Sequence, residues 1–150
     1  MAELTRAILE ARVRVSVADW RAAIKAACQP LLDAGAIEER YVQRCIEIVQ
    51  AQGPYIVLAP GLALAHARPE DGVNRLCLAA ITLREPVRFG HPDNDPVEVV
   101  FAFGSPDADE HVGLLTALAG RIQAGLDREL RAVTSDAEAR KLLEAIGDGD

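Results

Sequence analysis

Three histidines are the only side chains of this 150-residue chain whose ordinary pKa lies near neutral pH, and two of them stand where group transfer could be run. His66 lies in Ala63-Leu64-Ala65-His66-Ala67-Arg68-Pro69, after an apolar strand-like stretch and before the acidic turn Glu70-Asp71-Gly72. Where a strand gives way to a loop, the sheet fixes a side chain and the loop admits a reactant. A neutral imidazole placed there is a nucleophile near pH 7. The competing reading is a histidine satisfied by a backbone carbonyl at a strand end. His111 falls in the first turn of a helix that Asp107 should begin, and its spacing to Leu115, Leu118 and Ile122 puts it on the inward face. A helix N-terminus favours a phosphate, and a protonated ring there would stabilise an added dianion. Its plainer reading is a histidine at the core's edge. Residue spacing alone does not bring His66 and His111 together.

Other chemistries find less support. Asp93, Asp95, Asp107 and Asp109 could in principle join the histidines around a metal. His91-Pro92-Asp93-Asn94-Asp95-Pro96 is a more natural turn, however, and no HxxxH or facial-triad spacing occurs, so no metal is expected. The GxGxxG, GxxxxGK[ST] and GxSxG loops are all absent. Cys28, Cys45 and Cys77 are far apart in apolar contexts, without CxxC spacing, and read as small buried hydrophobes in a reducing compartment. A net charge of −7 argues against sequence-independent nucleic-acid binding, and no basic amphipathic helix suits an anionic membrane surface. Charges at Glu3, Arg6, Glu10, Arg12 and Arg14 interrupt any signal-peptide core. The longest uncharged run, Ile48 to Ala67, is broken by Gly53, Pro54, Pro60 and Gly61. A cytoplasmic protein is expected.

The elements that must position the histidines follow from periodicity. After a short amphipathic start, Arg12 to Val17 alternates like a strand. Ser16 and Asp19 form a capping-box pattern ahead of a helix with Trp20, Ile24, Ala27, Cys28 and Leu31 on one face; Pro30 should disturb it and Gly35 end it. A second helix begins near Ile37, carries the stripe Tyr41, Cys45, Ile48 and Val49, and stops at Gly53. Tyr55 to Ala59, Leu76 to Leu83 and Val97 to Phe103 read as strands, with a turn over Phe89 to Pro96. Asp107 with Glu110 starts the His111 helix, whose stripe is Val112, Leu115, Leu118, Ala119 and Ile122. Ser135 with Glu138 starts a last helix bearing Leu142, Leu143 and Ile146 and closing at Gly147. With no repeat or linker, residues 1–150 read as a single α/β domain, a small mixed sheet flanked by helices.

The run from Gly53-Pro54-Tyr55 through Ala59-Pro60-Gly61 to His66-Ala67-Arg68-Pro69-Glu70-Asp71-Gly72-Val73 resembles the EIIA domains of the bacterial phosphoenolpyruvate-dependent sugar phosphotransferase system, fructose/mannitol-type, and is most similar to the ascorbate-type branch. Trp20, Tyr41, Phe89-Gly90, Asn94-Asp95-Pro96-Val97 and Asp109-Glu110-His111 extend the resemblance over nearly the whole chain. It implies the EIIA fructose/mannitol-like fold and a phosphotransferase component without cofactor. His66 would accept a phosphoryl group from HPr and pass it to a cysteine of an EIIB component, and His111 would be the second, non-phosphorylated histidine. Two positions depart from the family pattern. Ala65 stands where many members have proline, and the mannitol-type arginine that contacts phosphate falls at Gln50, which leaves Arg68 as the candidate cation. Leu62, Leu64 and Val112 are expected to line a shallow apolar docking surface. The alternatives are a nitrogen-type regulator controlled by His66 phosphorylation, or a degenerate binding module. The solute and the presence of a homo-oligomer are left open.

Overall fold

Five apolar segments pair into one sheet: β1 (Ile8–Val15), β2 (Val57–Ala59), β3 (Leu62–Ala65), β4 (Cys77–Val87) and β5 (Val97–Gly104), in the spatial order β1-β4-β5-β3-β2. The computed structural model describes residues 7–148, with side-chain surroundings given up to residue 145. The expected amphipathic start over residues 1–6 and the Ile146 side chain lie outside these. β1 runs parallel to β4 and β3 to β5, whereas β4–β5 and β2–β3 are antiparallel. Helices α1 (Trp20–Asp33) and α2 (Glu39–Gln52) precede β2, and α3 (Ala108–Gln123), α4 (Leu126–Ala132) and α5 (Asp136–Asp148) follow β5. The class is the α/β mixed sheet with flanking helices that the sequence indicates.

Side chains alternate across a strand, so each face of the sheet needs its own cover. Ala63, Ala65, Cys77, Ala79 and Ala102 face α1 and α2; Leu62, Leu64, Leu78, Phe101 and Phe103 face α3 to α5. The first face is built largely from small residues, and its bulk arrives on the helices as Ile24, Leu31, Tyr41 and Ile46. On the second face the bulk sits in the sheet. That division fills two cores although only 4% of the residues are aromatic.

Local signals explain most boundaries. Asp19, not Ser16, caps α1: its carboxylate accepts from the Ala22 N–H at 2.9 Å. The helix continues through Pro30, whose ring is buried, to Asp33. Gly35 then takes a positive φ of 74°, and the Ala36 and Gly35 amides donate to the Leu31 and Leu32 carbonyls in a Schellman ending. On α3 the buried positions are Leu114 and Leu118, and Val112 and Ala119 of the expected stripe face solvent. The seven residues of α4 are too few to show a helical period in the sequence. Only Leu126 and Leu130, one turn apart, mark its buried side.

β1 starts at Ile8, earlier than its alternation suggests, and its ladder with β4 slips between Arg12 and Val15. Arg14 sits in that slip at φ 54°, and its amide donates to the Thr82 hydroxyl at 2.9 Å instead of to a backbone carbonyl. The outward edge of β1 is met by α5. Asp136 accepts the Val13 N–H at 2.9 Å, and the Arg140 Nε donates to the Leu9 carbonyl at 2.9 Å.

Phe101 is fully buried at the centre of the second core. Phe101→Ala should therefore cost about 3–5 kcal/mol in urea unfolding, as large-to-small core changes do. Ala119→Ser, on the exposed face of α3, should stay within about 0.5 kcal/mol.

Candidate functional site

β3 ends at Ala65, paired with Ala102 of β5, and the chain leaves the ladder at His66. Ala65 is buried in the strand, so the residue before His66 is held by the sheet. The His66 ring is half-buried. Its Nδ1 lies 3.1 Å from the Leu64 carbonyl oxygen. A carbonyl can only accept, so the neutral ring carries its proton on Nδ1 and keeps the lone pair on Nε2. A histidine satisfied by a carbonyl through Nδ1 is thus compatible with a free lone pair on Nε2. The ring stacks on Phe103 (centroids 5.3 Å, 27° between planes) and meets Tyr55 edge-on at 6.5 Å.

Asp107 caps α3 and projects His111 from its first turn over the same spot. The His66 and His111 ring centroids are 6.3 Å apart, and Phe103 packs against both, 4.9 Å from His111. The His111 Nδ1 is buried and has no hydrogen-bond partner among the described residues. Such atoms are few in folded proteins and call for a functional explanation. Burial, and then the neighbouring His66, hold the His111 pKa below its ordinary 6.5. The ring is therefore neutral at pH 7, not the imidazolium anticipated from sequence. The helix end is also less available to an anion than expected. Asp107 already accepts from the Glu110 N–H at 2.8 Å and from the Asp109 N–H, bonds that keep its carboxyl below the usual range.

Arg68 borders the site, with its side chain 64% exposed and turned to the acidic turn. It reaches Asp71 at 3.4 Å and Glu70 at 3.7 Å, and its amide donates to Asp71 at 3.0 Å. Arg44 of α2 approaches the same carboxylate at 3.9 Å. Burial pushes Asp71 up, but the hydrogen bonds from Arg68 and the two guanidinium charges outweigh it and hold the carboxyl below 3.8. Gln50 lies on the exposed face of α2, and the α2 side chain that faces the site is Ile48.

Together these groups enclose an open depression of about 370 Å³, with both histidines and Arg68 set among Ile48, Tyr55, Pro69 and Val112. Leu62 and Leu64 do not line it. They are 0% and 3% exposed in the core under α3, while the exposed apolar residues around His66 are Tyr55 (46%) and Val112 (62%). Sequence reasoning missed Tyr55 and Phe103; an aromatic beside a histidine in space leaves no mark on linear spacing. His91, the third histidine, is structural: its Nδ1 accepts the Asp93 and Asn94 amides at 3.1 and 3.0 Å. Asp95 likewise accepts the amides of Phe89, Gly90 and His91.

Residues 9–146 match the family described as phosphoenolpyruvate-dependent sugar phosphotransferase system, EIIA 2. The chain belongs to this family. The ascorbate-specific PTS system EIIA component of Shigella boydii is 37% identical over 136 residues, covering 89% of this chain and 88% of that protein. The solution structure of the mannitol-specific cryptic phosphotransferase enzyme IIA CmtB from Escherichia coli superposes with a TM-score of 0.84 at 30% identity, over 95% of this chain and 98% of the other. The IIA mannitol domain of Escherichia coli, solved in complex with phosphorylated enzyme IIB, shares the fold at 23% identity with a TM-score of 0.75, covering 89% and 93% of the two chains. This EIIA component is a phosphotransferase-system protein, and no helix among its described residues is long and apolar enough to cross a membrane.

The His111 ring in this EIIA should titrate below 6.5 when followed by proton NMR, and His66→Ala should raise its midpoint by removing one of the two causes that lower it. A depressed folded value means that the unfolded chain binds more protons, so this group removes stability as pH falls through 6.5. A midpoint above 6.5, or one unmoved by His66→Ala, would contradict the geometry.

Proposed function

We propose that this EIIA accepts a phosphoryl group on Nε2 of His66 from phospho-HPr and passes it to a cysteine of an EIIB component. The observation that carries the reading is the pairing of His66, its Nδ1 held at the Leu64 carbonyl, with the His111 ring 6.3 Å away across one depression. The Nε2 lone pair attacks phosphorus as the bond to the donor breaks and the donor keeps its electron pair. In the second half the EIIB thiolate attacks phosphorus, the P–N bond breaks, and the electron pair returns to Nε2. Catalysis here consists of alignment and of neutralising the equatorial oxygens. Neutral His111 supplies one N–H to an oxygen, and the added dianion then raises that ring's proton affinity.

Arg68 is proposed as the phosphate-contacting cation. Its pair with Glu70 is exposed and of the kind worth roughly 0–1 kcal/mol, so an incoming phosphate competes readily with Glu70, while the largely covered Asp71 holds the guanidinium beside the site. Tyr55 and Val112 supply the apolar rim that protein partners would cover, a more fitting role for an open depression than enclosing a free sugar. The similarity to ascorbate-specific components supports a place in ascorbate-type uptake, and a soluble EIIA of this kind would work in the cytoplasm.

Incubation of the purified protein with phosphoenolpyruvate, enzyme I and HPr, read by intact mass at neutral pH, should show one acid-labile phosphate. His66→Ala should take up none. His111→Ala should still be phosphorylated, more slowly by about 10²-fold, the size of losing one positioned donor. Uptake undiminished in His66→Ala would remove the assignment.

A further inference from the structure

The β3–β5 register shows where its next rung would fall. Ala63 pairs with Val100 and Ala65 with Ala102, and the Val99 amide donates to the Gly61 carbonyl. In a parallel ladder the bonds recur every second residue. One step beyond Ala65, the Ala67 N–H would therefore meet the Phe103 carbonyl. It does not. The hydroxyl of Tyr41 stands between them, accepting from the Ala67 N–H at 2.9 Å and donating to the Phe103 carbonyl at 2.7 Å.

We infer that Tyr41 is a positioning residue for phosphoryl transfer: its phenol replaces one rung of the sheet and sets the gap in which His66 is held. Both groups it joins belong to the site. Ala67 follows His66 directly, and Phe103 is the residue whose ring stacks on the imidazole. Direct pairing of Ala67 with Phe103 would draw the two strands together where the phenol oxygen now separates them. His66 would move with Ala67, and the contact of its Nδ1 with the Leu64 carbonyl would change. Tyr41 is 1% exposed and comes from the first turn of α2, so this oxygen ties α2 to the backbone on which the His66 ring is carried. Burial keeps the phenol protonated far above its ordinary range, so the hydroxyl remains both donor and acceptor.

The inference rests on His66 being the phosphorylated group, and the test separates the two. In the wild-type protein the Ala67 amide should resist hydrogen exchange as strongly as amides within the β3–β5 ladder; exchange at the rate of a surface loop would overturn the rung. Tyr41→Phe, with folding checked by circular dichroism, should lower the phosphorylation rate at saturating phospho-HPr by about 10- to 100-fold while leaving KM nearly unchanged. Nitrogen-15 NMR should then show His66 passing from the single Nδ1–H tautomer to a mixture. Fluorotyrosine at position 41, which keeps the hydroxyl, should restore most of the rate. An unchanged rate, a lower rate with the tautomer intact, or no recovery with fluorotyrosine would each defeat the positioning role. If wild-type protein takes up no phosphate, the phosphocarrier reading falls, while the exchange and tautomer measurements still decide the rung.

Discussion

The parallel pairing of β3 with β5 is the constraint from which the site follows. Parallel neighbours keep both chains running the same way, so β3 and β5 reach the same end of the sheet together and deliver His66 and Phe103 there. β5 then leads through Ser105 and Asp107 into α3, which returns His111 over the same spot. Two histidines distant in sequence become neighbours because their strands are neighbours. The antiparallel β2–β3 pairing brings Tyr55, just before β2, edge-on to the His66 ring just after β3, and α2 brings up Ile48.

The division of bulk between the two cores serves the same end. Alanines at 63, 65 and 102 leave room on one face of the sheet, and the long Tyr41 side chain from α2 reaches between two strands. On the other face Phe101 and Phe103 fill the space beneath α3, and Phe103 continues that core up to the imidazoles. The floor of the site is the top of a hydrophobic core. Its low polarity is what lowers the His111 pKa and leaves its Nδ1 short of a partner.

Much of this could be read from the sequence, and the failures have physical causes. Continuous apolar runs marked β4 and β5 because a strand covered on both faces needs no alternation. The same property hid which way Leu62 and Leu64 point, and they proved to be core residues, not rim residues. The buried stripe of α3 is narrower than its apolar spacing suggests: Val112 and Ala119, seven apart, lie on one exposed face beside the buried Leu114–Leu118 face. Asp19 displaced Ser16 as a cap because either residue type can accept a helix amide, and spacing alone does not choose between them. α4 is too short for a periodic signal. The nearness of His66 to His111 entered through the family resemblance, since no residue spacing encodes a contact made by parallel strands.

The contacts that close the outer edge of β1 also govern the order in which the molecule can be completed. Val13 takes its partner 123 residues along the chain at Asp136, and Leu9 takes its partner 131 residues along at Arg140. On a ribosome the first strand therefore emerges long before either β4 or the helix that covers its open side. Until then it offers a row of unpaired amides and carbonyls to any neighbouring chain. Once α5 is in place, a carboxylate and a guanidinium occupy that row, and a further strand could join only by displacing them. A helix made more than a hundred residues later seals β1, so loss of α5 would expose an adhesive edge far away along the chain.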